Sequence, residues 1–356
     1  MAKSTNEADP IEPAPIEADP IEPAAIGGRH AIAEAVQRLA REGRDAALAV
    51  VVSTRGSTYR KPGAQILLDA HGVRVGALSG GCLEAELEEF AREMLAAGRA
   101  RQIRFDTRDD GDRLFGSGSG CRGTMQVLLL PLPAHASPLR DALVSSCDAG
   151  LALTLRLSTE GDHIGGGEAL VGEQTYRFDA NGHAHIGDLD SAALTELILP
   201  RAPHLLLLGA GPETPPLMRM ARMLGWRVDV AEHRERWSAY GRKPEPDRLH
   251  TQGLAALPAL LAAHEFDAAL VMNHHADLDV RCLRDLAASE VEYVGLLGPP
   301  ARRDALLTEI GEPLAQHLRS RLHAPVGLDL GGEGPDAIAL AIVAELHRHL
   351  AGRSCG

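Results

Sequence analysis

The sequence predicts an α/β protein with two globular domains, an N-terminal α+β domain with glycine-cysteine loops and a C-terminal Rossmann-like domain built on a doubly wound parallel sheet. With 356 residues, the chain is too long for one ordinary hydrophobic core and about right for two domains. Hydrophobic residues make up 45% of it and charged residues 24%, which is the balance of a globular protein. In the second half, apolar runs of strand length alternate with helical patterns, as they do in parallel sheets covered by helices on both faces.

We divide the chain into four segments. Residues 1–26 contain a ten-residue repeat, EADPIEPAPI followed by EADPIEPAAI, whose prolines forbid a helix and whose charges resist packing, so we expect a disordered acidic tail. Residues 27–195 form the predicted α+β domain, and residues 196–350 form the predicted Rossmann-like domain. Residues 351–356 are a short C-terminal tail.

The elements of the first domain follow from apolar spacing and from turn residues. Ile32, Val36 and Leu39 recur at helical spacing, and this predicted helix ends near Gly43. Apolar runs bounded by turn residues predict the strands. We expect strands at 46–53, 64–69, 73–78, 101–106, 124–132, 151–158 and 169–178, with helices at 82–95 and 138–147.

The second domain switches to a regular alternation of strands and helices. The run HLLLLG suits a strand that is buried on both faces. Short connections between these elements favour a doubly wound sheet. We expect strands at 204–209, 226–231, 267–272 and 292–297, with helices up to about residue 224, at 278–288 and after the last strand.

Composition excludes several classes of function. The formal charge of −13 and the lack of a basic stripe argue against nucleic acid as a partner, because binding phosphates requires clustered lysine and arginine. Lysine occurs only at Lys3, Lys61 and Lys243, none of them after a glycine, so a Walker A loop is absent. The N-terminus has no basic and apolar leader, and prolines interrupt the longest uncharged run, Gly123 to Leu139. We therefore expect a cytoplasmic protein with no membrane partner.

A glycine-rich turn follows the first strand of the second domain. Gly209, Ala210 and Gly211 open a helix there, where backbone amides and the helix N-terminus can hold a phosphate. Thr214 stands at the third glycine position of the G-x-G-x-x-G fingerprint, and Glu232 follows at about the distance expected of the acid that binds a ribose hydroxyl. These residues predict a nucleotide-like or pterin-like ligand, or else a scaffold whose glycines only make the tight turn.

A second polar loop follows strand 267–272 at the same edge of the predicted sheet. It contains His274, His275 and Asp277, whose side chains can bind a metal ion or an anion. No second cluster completes a ligand set at a recognisable spacing, and a polar loop at the end of a strand explains these residues equally well.

Two of the five cysteines lie in glycine-rich settings. Cys82 follows Gly80 and Gly81 at the start of a predicted helix, and Cys121 follows Gly120 and precedes an arginine. A helix N-terminus and a neighbouring guanidinium both favour a thiolate, which makes these two thiols candidate soft ligands. The alternative is that each is a small residue filling a tight turn. The odd count and the spacing predict neither a disulfide framework nor a zinc finger.

The loop 57–63 joins two predicted strands of the first domain and brings Arg60 and Lys61 close to a turn. Two cations in such a place suit a phosphate or an acidic partner, and a solvated hairpin loop is the alternative interpretation. No G-x-S-x-G elbow and no H-E-x-x-H helix is present, so hydrolase and zinc-protease functions have no support.

Several ordered motifs of the chain carry a resemblance to a known family. In the first domain they are GSTYRKPGAQ, VGALSGGCLEAEL and GSGSGCRGTMQVLLLPL. In the second domain they are LLLLGAG, VMNHHADLD, YVGLLG and HAPVGLDLGGEGPDAIALAIVAEL. Over about residues 45–350, the chain resembles the XdhC/CoxI family of maturation factors for molybdenum hydroxylases such as xanthine dehydrogenase.

The resemblance implies a protein that binds molybdenum cofactor, protects it, supports exchange of an oxo for a sulfido ligand, and inserts it into the apo-enzyme. On this match Cys82 and Cys121 are the cofactor-binding candidates. Cys121 is the stronger candidate to hold the molybdenum, since thiolates suit this metal. The expected partners are an apo molybdenum hydroxylase of the xanthine dehydrogenase type, a cysteine desulfurase and a second copy of the chain in a homodimer. The remaining candidate site residues are Gly80, Gly81, Gly120, Arg60, Gly209, Gly211 and Glu232.

The chain departs from the family pattern at three places. Pro212 stands where the family commonly has a histidine after Gly-x-Gly, and His274-His275-Ala276 stands where its strand-end motif often reads His-Asp-His. Arg122 stands where a glycine follows the second cysteine of the family. These departures bear more on the ligand of the second domain than on the cysteines of the first.

Two other functions remain open. An NAD(P)-dependent oxidoreductase would use Gly209, Gly211 and Glu232, with Cys121 or His274 near the substrate, although no residue stands out as the acid or base of a hydride step. A redox-sensing scaffold would require thiols that oxidise reversibly.

Overall fold

The computed structural model describes residues 28–81, 83–106, 123–185, 194–242 and 244–353. The first elements are α1 (Gly28–Arg41), β1 (Ala46–Gly56), β2 (Gln65–Asp69), β3 (Arg74–Gly76), α2 (Glu84–Ala97), β4 (Arg101–Asp106), β5 (Gly123–Leu132) and α3 (Pro138–Ala149). The strands form one antiparallel sheet in the order β3-β2-β1-β5-β4. Each of these elements matches a predicted one to within a few residues.

The two faces of this sheet are covered differently. α2 packs on one face, in a core that includes the fully buried side chains of Val51, Ile66 and Leu87. The other face, which carries Val50 and Leu67, belongs to a core shared with α1, α3 and the next sheet. Neighbouring residues of β1 and β2 therefore point into different cores, which is why both strands read as continuous apolar runs.

A second antiparallel sheet contains β6 (Leu153–Ser158), β7 (Gly167–Val171), β8 (Gln174–Phe178) and β9 (Leu194–Leu199), in the order β8-β7-β6-β9. The prediction of a single strand at 169–178 is wrong, because this stretch is a hairpin in which Val171 pairs with Gln174. Gly172 has a φ of +56° in the turn, a left-handed conformation that favours glycine. β9 was not predicted because its buried residues are confined to its last three positions.

The rest of the chain confirms the predicted doubly wound parallel sheet. Its strands are β10 (His204–Leu208), β11 (Arg227–Ala231), β12 (Arg248–His250), β13 (Ala268–Val271), β14 (Tyr293–Leu296) and β15 (Leu322–His323), in the order β12-β11-β10-β13-β14-β15. Its helices are α4 (Thr214–Met223), α5 (Glu235–Ser238), α6 (Leu257–Ala263), α7 (Ala276–Ala287), α8 (Pro300–Ile310), α9 (Glu312–Leu318) and α10 (Pro335–Arg353). β12 and β15 are three and two residues long, which is too short to show a periodicity in the sequence.

The strand order reverses between β10 and β13, which are hydrogen-bonded neighbours at the centre of the sheet. The crevice outside the carboxyl ends of such strands is the usual ligand site of open α/β sheets. Gly209 follows β10 directly, and Asn273 and His274 come two and three residues after the end of β13. The glycine turn and the histidine loop therefore meet at this switch point.

α10 is the longest helix in the described ranges, with 19 residues. It packs against α4 through the buried side chains of Ala339, Ile342 and Leu346. None of the described helices is both long and apolar enough to cross a membrane.

Candidate functional site

The strand ends that flank the sequence motifs of the first domain lie at one edge of the five-stranded sheet. Gly56 at the end of β1 pairs with Gly123 at the start of β5, and β4 ends beside the first residues of β5. On the other side of β1, Ile66 near the start of β2 pairs with Gly76 at the end of β3. The connections that leave and enter these strand ends must therefore lie at the same edge.

Three stretches leave or enter the sheet there: the loop 57–64, residues 77–81 before α2 and the two residues that flank 107–122. These are the stretches whose sequences contain two cations and two glycine-cysteine motifs. We call this region the cysteine edge and define it as residues 56–65, 76–81, 83, 84, 106 and 123. Three predicted site residues lie outside the described ranges, and their roles stay predictions: Cys82, Gly120 and Cys121.

The turn before α2 is organised by the carboxylate of Glu84, a residue that is 3% exposed. Its Oε1 accepts hydrogen bonds from the backbone N–H groups of Leu78 and Ser79, at 3.2 and 2.8 Å. Its Oε2 accepts from the Ser79 hydroxyl and from the N–H of Leu83, the latter at 3.2 Å. The Ser79 oxygen in turn accepts from the N–H groups of Gly81 and Leu83, both at 3.1 Å. One buried carboxylate thus holds the backbone on both sides of position 82.

The hydrogen bonds of the turn before α2 set the charge of the Glu84 carboxylate. Burial alone would raise the pKa of Glu84, but the hydrogen bonds from the Ser79 side chain and backbone outweigh it and lower the pKa. The carboxylate is therefore charged at neutral pH and complements the dipole of α2. Sequence reasoning missed Glu84, although an acid in the first turn of a helix is a known start signal.

The loop 57–64 presents positive charge and an aromatic ring to solvent. Arg60 and Lys61 are exposed, and Tyr59 is 64% exposed. Neither cation forms a salt bridge within the described residues. The loop also packs tightly on β5, because a Cβ at Gly123 would lie 2.6 Å from the carbonyl oxygen of Ser57. The glycine at the start of β5 is therefore required by this contact.

Gln65, the first residue of β2, was also missed by sequence reasoning. It is 6% exposed, and neither Oε1 nor Nε2 of its side chain has a hydrogen-bond partner in the described part of the chain. Buried polar groups of proteins are normally hydrogen-bonded. No pattern in the sequence could have distinguished this glutamine from an ordinary strand residue.

At the switch point of the parallel sheet, the backbone amides of the glycine turn are bonded within the protein. The N–H of Ala210 donates to Oε2 of Glu232 at 3.1 Å, and the N–H of Gly211 donates to the hydroxyl of Thr214 at 2.9 Å. In a dinucleotide-binding turn these amides hold a phosphate. A phosphate here would have to break both hydrogen bonds.

Glu232 lies at the end of β11, as the sequence predicts, but its carboxylate is engaged by Arg234. Its Oε1 accepts from the backbone N–H and the Nε of Arg234 at 2.8 and 2.9 Å, and its Oε2 accepts from Nη2 at 2.6 Å. Burial alone would raise the pKa of Glu232, and these hydrogen bonds outweigh burial and lower it. The geometry gives no support to ribose binding by Glu232, and its predicted cofactor role stays a prediction.

Both glycines of the turn are explained by contacts with the protein itself. A Cβ at Gly209, where φ is +94°, would lie 2.6 Å from the Cα of Asn273. A Cβ at Gly211 would lie 2.5 Å from Oε1 of Glu213 and 2.8 Å from Nε2 of His274. A carboxylate and an imidazole therefore fill the space in which a pyrophosphate would approach the second glycine. Because like charges repel, Glu213 makes this turn a poor fit for a nucleotide.

His274 is held by this internal pair. Its Nε2 lies 3.0 Å from Oε1 of Glu213, and its ring stacks on Trp237 with 6.1 Å between the centroids. The hydrogen bond to Glu213 raises the pKa of His274. His275 and Asp277 are exposed nearby. Among the residues that the structure describes, no group of three metal-ligating side chains could hold an ion.

The two cysteines within the described ranges lie outside the glycine-rich motifs. Cys282 is fully buried, and burial raises the pKa of its thiol to about 12. Cys147 is half-buried, and burial raises its pKa as well. Neither is a thiolate at neutral pH, which is the form that binds metals.

The fold and its two motif-bearing edges define a class of protein in which an antiparallel α+β domain with glycine-cysteine motifs precedes a Rossmann-like domain. Comparison with known families agrees with both halves. The family described as XdhC and CoxI matches residues 39–106, and the XdhC Rossmann domain matches residues 205–346. The chain belongs to the XdhC/CoxI family, which confirms the resemblance seen in the sequence.

Two relatives match nearly the whole chain, and a third matches part of it. A Bacillus subtilis protein named as a probable xanthine dehydrogenase subunit is 31% identical over 334 residues, which are 90% of this chain and 97% of that protein. A crystal structure described as a xanthine dehydrogenase from Bacillus halodurans is 29% identical, with a TM-score of 0.70 over 90% of this chain and 96% of that one. The Escherichia coli protein PaoD, named a molybdenum cofactor insertion chaperone, is 36% identical over 101 residues, 28% of this chain and 30% of PaoD.

Proposed function

We propose that this chain is a molybdenum cofactor-binding chaperone that protects the cofactor, supports its sulfuration and inserts it into a molybdenum hydroxylase of the xanthine dehydrogenase type. The observation that carries the proposal is the cysteine edge, which brings the flanks of both glycine-cysteine motifs to the same place as the loop 57–64. The names of the Bacillus subtilis and Escherichia coli relatives support the same function.

The residues assigned to this edge suit such a cargo. Thiolates of Cys82 and Cys121 are soft donors of the kind that molybdenum accepts, and we assign the metal to Cys121. Arg60 and Lys61 supply exposed cations for the phosphate that the cofactor carries. Glycines in the two motifs let the cofactor approach the backbone closely, and we assign this role to Gly80, Gly81 and Gly120.

We assign the Rossmann-like domain the role of a scaffold. Its glycine turn is bonded internally, and Glu213 and His274 fill the space beside Gly211. This geometry disfavours the rival function, an NAD(P)-dependent oxidoreductase that would use this turn. Calorimetric titration with NADH and NADPH tests the assignment: we expect no binding at millimolar concentration, and saturable binding would restore the rival.

The proposal includes the surroundings in which such a chaperone works. We place it in the cytoplasm, where thiols stay reduced and able to bind metal. Its client is an apo molybdenum hydroxylase, a cysteine desulfurase is the sulfur source, and the chaperone acts as a homodimer. Pull-down of the tagged chain from its native cell, with metal analysis of the eluate, identifies these partners directly.

The direct test is cofactor loading in a cell that makes the cofactor. We expect the wild-type chain to purify with molybdenum and pterin, and the Cys121→Ala variant to lose at least about nine-tenths of both, because a soft ligand is removed. Cys82→Ala should lose less. Cys147→Ala, which removes a half-buried thiol of raised pKa, is the matched control and should load normally. The proposal fails if wild type and Cys121→Ala both purify empty while the client enzyme is active without this protein.

A further inference from the structure

The loop 57–64 has a fixed turn and unpaired side chains at its tip. The hydroxyl of Thr58 donates a hydrogen bond to the carbonyl oxygen of Arg60 at 2.9 Å and so braces the turn. The ring of Tyr59 is 64% exposed. The exposed side chains of Arg60 and Lys61 form no salt bridge and no hydrogen bond within the described residues. The loop therefore presents an aromatic ring and two cations to solvent, a combination that suits an acidic segment containing proline.

The chain contains such a segment at its own N-terminus. Residues 7–26, which we call the acidic repeat, carry six carboxylates, five prolines and no lysine or arginine. Proline-rich segments favour the extended polyproline II conformation, which docks on exposed aromatic rings with little loss of conformational entropy. The acidic repeat lies outside the described ranges, and the described chain begins at Gly28, two residues after the repeat ends. Its charge and its prolines complement the loop 57–64.

The fold places the attachment point of the acidic repeat at the same end of the first domain as the loop 57–64. α1 begins at Gly28 and ends at Arg41, and β1 starts only a few residues later and runs to Gly56. The chain reverses its direction over this short connection, and α1 packs against β2 and β3 of the same sheet. The end of β1, where the loop 57–64 begins, is therefore the end toward which the start of α1 points.

Contacts of β9 support this placement. The guanidinium of Arg29, next to the first described residue, donates to the carbonyl oxygen of Leu199 at 3.3 Å. A Cβ at Gly63 would lie 3.0 Å from Cδ2 of the same leucine. One residue of β9 thus contacts both the start of α1 and the loop 57–64. Ten residues in the polyproline II conformation span about 31 Å, so one copy of the repeat can reach the tip of the loop from Gly28.

We propose that the acidic repeat docks on the loop 57–64 of its own chain and competes there with the phosphate of the cofactor. Carboxylates of the repeat pair with Arg60 and Lys61, and its prolines pack on Tyr59. Each exposed ion pair is weak, but the short connection to Gly28 raises the local concentration of the repeat to about millimolar. A weak contact is therefore enough. The competition rests on the proposed function, which assigns the same two cations to the phosphate, whereas the docking does not.

The scarcity of lysine makes this contact measurable in the empty full-length chain. Lysine occurs only at Lys3, Lys61 and Lys243, and a carbodiimide activates a carboxylate, which then forms an amide with a lysine amine held against it. Mass spectrometry maps the joined peptides, and each yield is divided by the reactivity of that lysine toward a small acylating reagent. At low ionic strength we expect the acidic repeat to be joined to Lys61 at least about tenfold more often than to Lys243, because random encounters favour neither lysine.

Substitutions in the loop provide the matched comparison. Arg60→Ala and Tyr59→Ala should each lower the Lys61 cross-link at least about threefold, because a cation or the aromatic ring is removed. Arg92→Ala is the control, since Arg92 is exposed on α2 and unbonded within the described residues, and it should leave the cross-link unchanged. Salt at about 0.5 M should abolish the cross-link, because exposed charges are then screened. Equal normalised yields at Lys61 and Lys243, or equal losses in all three variants, would overturn the docking.

Two further outcomes bear on the identity of the occupant and on the competition. A cross-link found only between two chains would overturn the proposal, because the acidic repeat of another copy would then be the occupant. If wild type purifies with the cofactor, the bound phosphate should lower the Lys61 cross-link at least about fivefold relative to the empty protein, because both occupants need the same cations. An unchanged cross-link would mean that the competition is wrong while the chaperone function stands.

The failure of the proposed function gives a different result. If wild type itself purifies empty while the client enzyme is active without it, the proposed function fails and the competition fails with it. The cross-link to Lys61 in the empty protein still decides whether the acidic repeat docks on the loop 57–64.

Discussion

The two sheet edges that carry glycine motifs differ in what their polar groups do. At the carboxyl edge of the parallel sheet, the amides of Ala210 and Gly211 and the carboxylate of Glu232 all have partners inside the protein. At the cysteine edge, Arg60 is exposed without a salt bridge in the described ranges, and the buried amide of Gln65 is unbonded. At the first edge, these donors and acceptors are bonded within the protein. At the second edge, Arg60 has no salt-bridge partner among the described residues and can bind a ligand.

A glycine motif alone therefore does not mark a binding site. Gly209 and Gly211 are glycines because Asn273, Glu213 and His274 occupy the space of a side chain. The Rossmann fingerprint is the more familiar motif, yet its donors are already used. What identifies the site is the set of donors, acceptors and charges that the protein does not satisfy by itself.

The largest effect that tests this comparison is expected at Gly209. Gly209→Ala should destabilise the protein by about 4 kcal/mol, because the left-handed backbone is strained and the new Cβ meets the backbone of Asn273. Gly211→Ala should cost less, since the atoms it meets are the ends of the Glu213 and His274 side chains. Urea denaturation measures both.

Gly43→Ala is the matched control, because Gly43 also has a positive φ but no atom lies within 4 Å of its Cβ position. It should cost only about 1 kcal/mol, the strain of the backbone alone. Cofactor loading per folded chain should be normal in all three variants. A Gly209→Ala protein that is stable but no longer loads would show that the turn binds the cargo, contrary to the difference between the two edges.

Substitution of Glu84 is expected to destabilise the protein less than Gly209→Ala does. Unlike Gly209→Ala, it should reduce cofactor loading. Glu84→Gln should lower the free energy of unfolding by about 2 kcal/mol, because charge-assisted hydrogen bonds to the turn are weakened. Since the pKa of Glu84 is lowered from 4.5 in the folded protein, its stabilisation is fully present above about pH 4.5 and is lost as the pH falls through the folded value.

The exposed Glu86 on the same helix provides the control. Glu86→Gln should change neither stability nor loading, and the difference between wild type and Glu84→Gln should shrink in acid. If Glu84→Gln loads the cofactor as well as wild type does, the geometry of the turn before α2 is not required for binding.

The smallest effect concerns the pair of His274 and Glu213 at the closed edge. Because the hydrogen bond raises the pKa of His274 above 6.5, its contribution to stability is present below that pH and is lost as the pH rises through the folded value. The side chain of His274 is 41% exposed, so the contribution is small. NMR titration of the imidazole should show the raised pKa in wild type and a lower one in Glu213→Gln. Equal pKa values of His274 in the two proteins would mean that Glu213 does not hold the imidazole beside Gly211.

The sequence predicted most of the fold because the central strands are buried on both faces. Short apolar runs bounded by turn residues, such as 205–208, favour strands of a covered sheet, whereas β9 and β12 lacked a pattern because they are short or half-exposed. The hairpin at Gly172 was missed because only two residues separate its strands, which end at Val171 and begin at Gln174.

The candidate site was predicted only in part, for a physical reason. The motifs around Cys82 and Cys121 and the loop with Arg60 stand out individually in the sequence, but only the strand order β3-β2-β1-β5-β4 brings their flanks to one edge. Whether a donor or acceptor has a partner depends on contacts between distant residues. For that reason neither the closed turn at Gly211 nor the unbonded amide of Gln65 could be read from the sequence.

Hydrogen–deuterium exchange of the full chain, purified with and without the cofactor, tests most directly whether the cargo binds at the cysteine edge. Protection from a bound ligand follows the segments that it contacts or orders. We predict protection at 57–65 and 77–84 when the cofactor is bound, with no change at 209–215 and 273–279. Protection confined to 209–215 and 273–279 would place the cargo in the Rossmann turn and contradict binding at the cysteine edge.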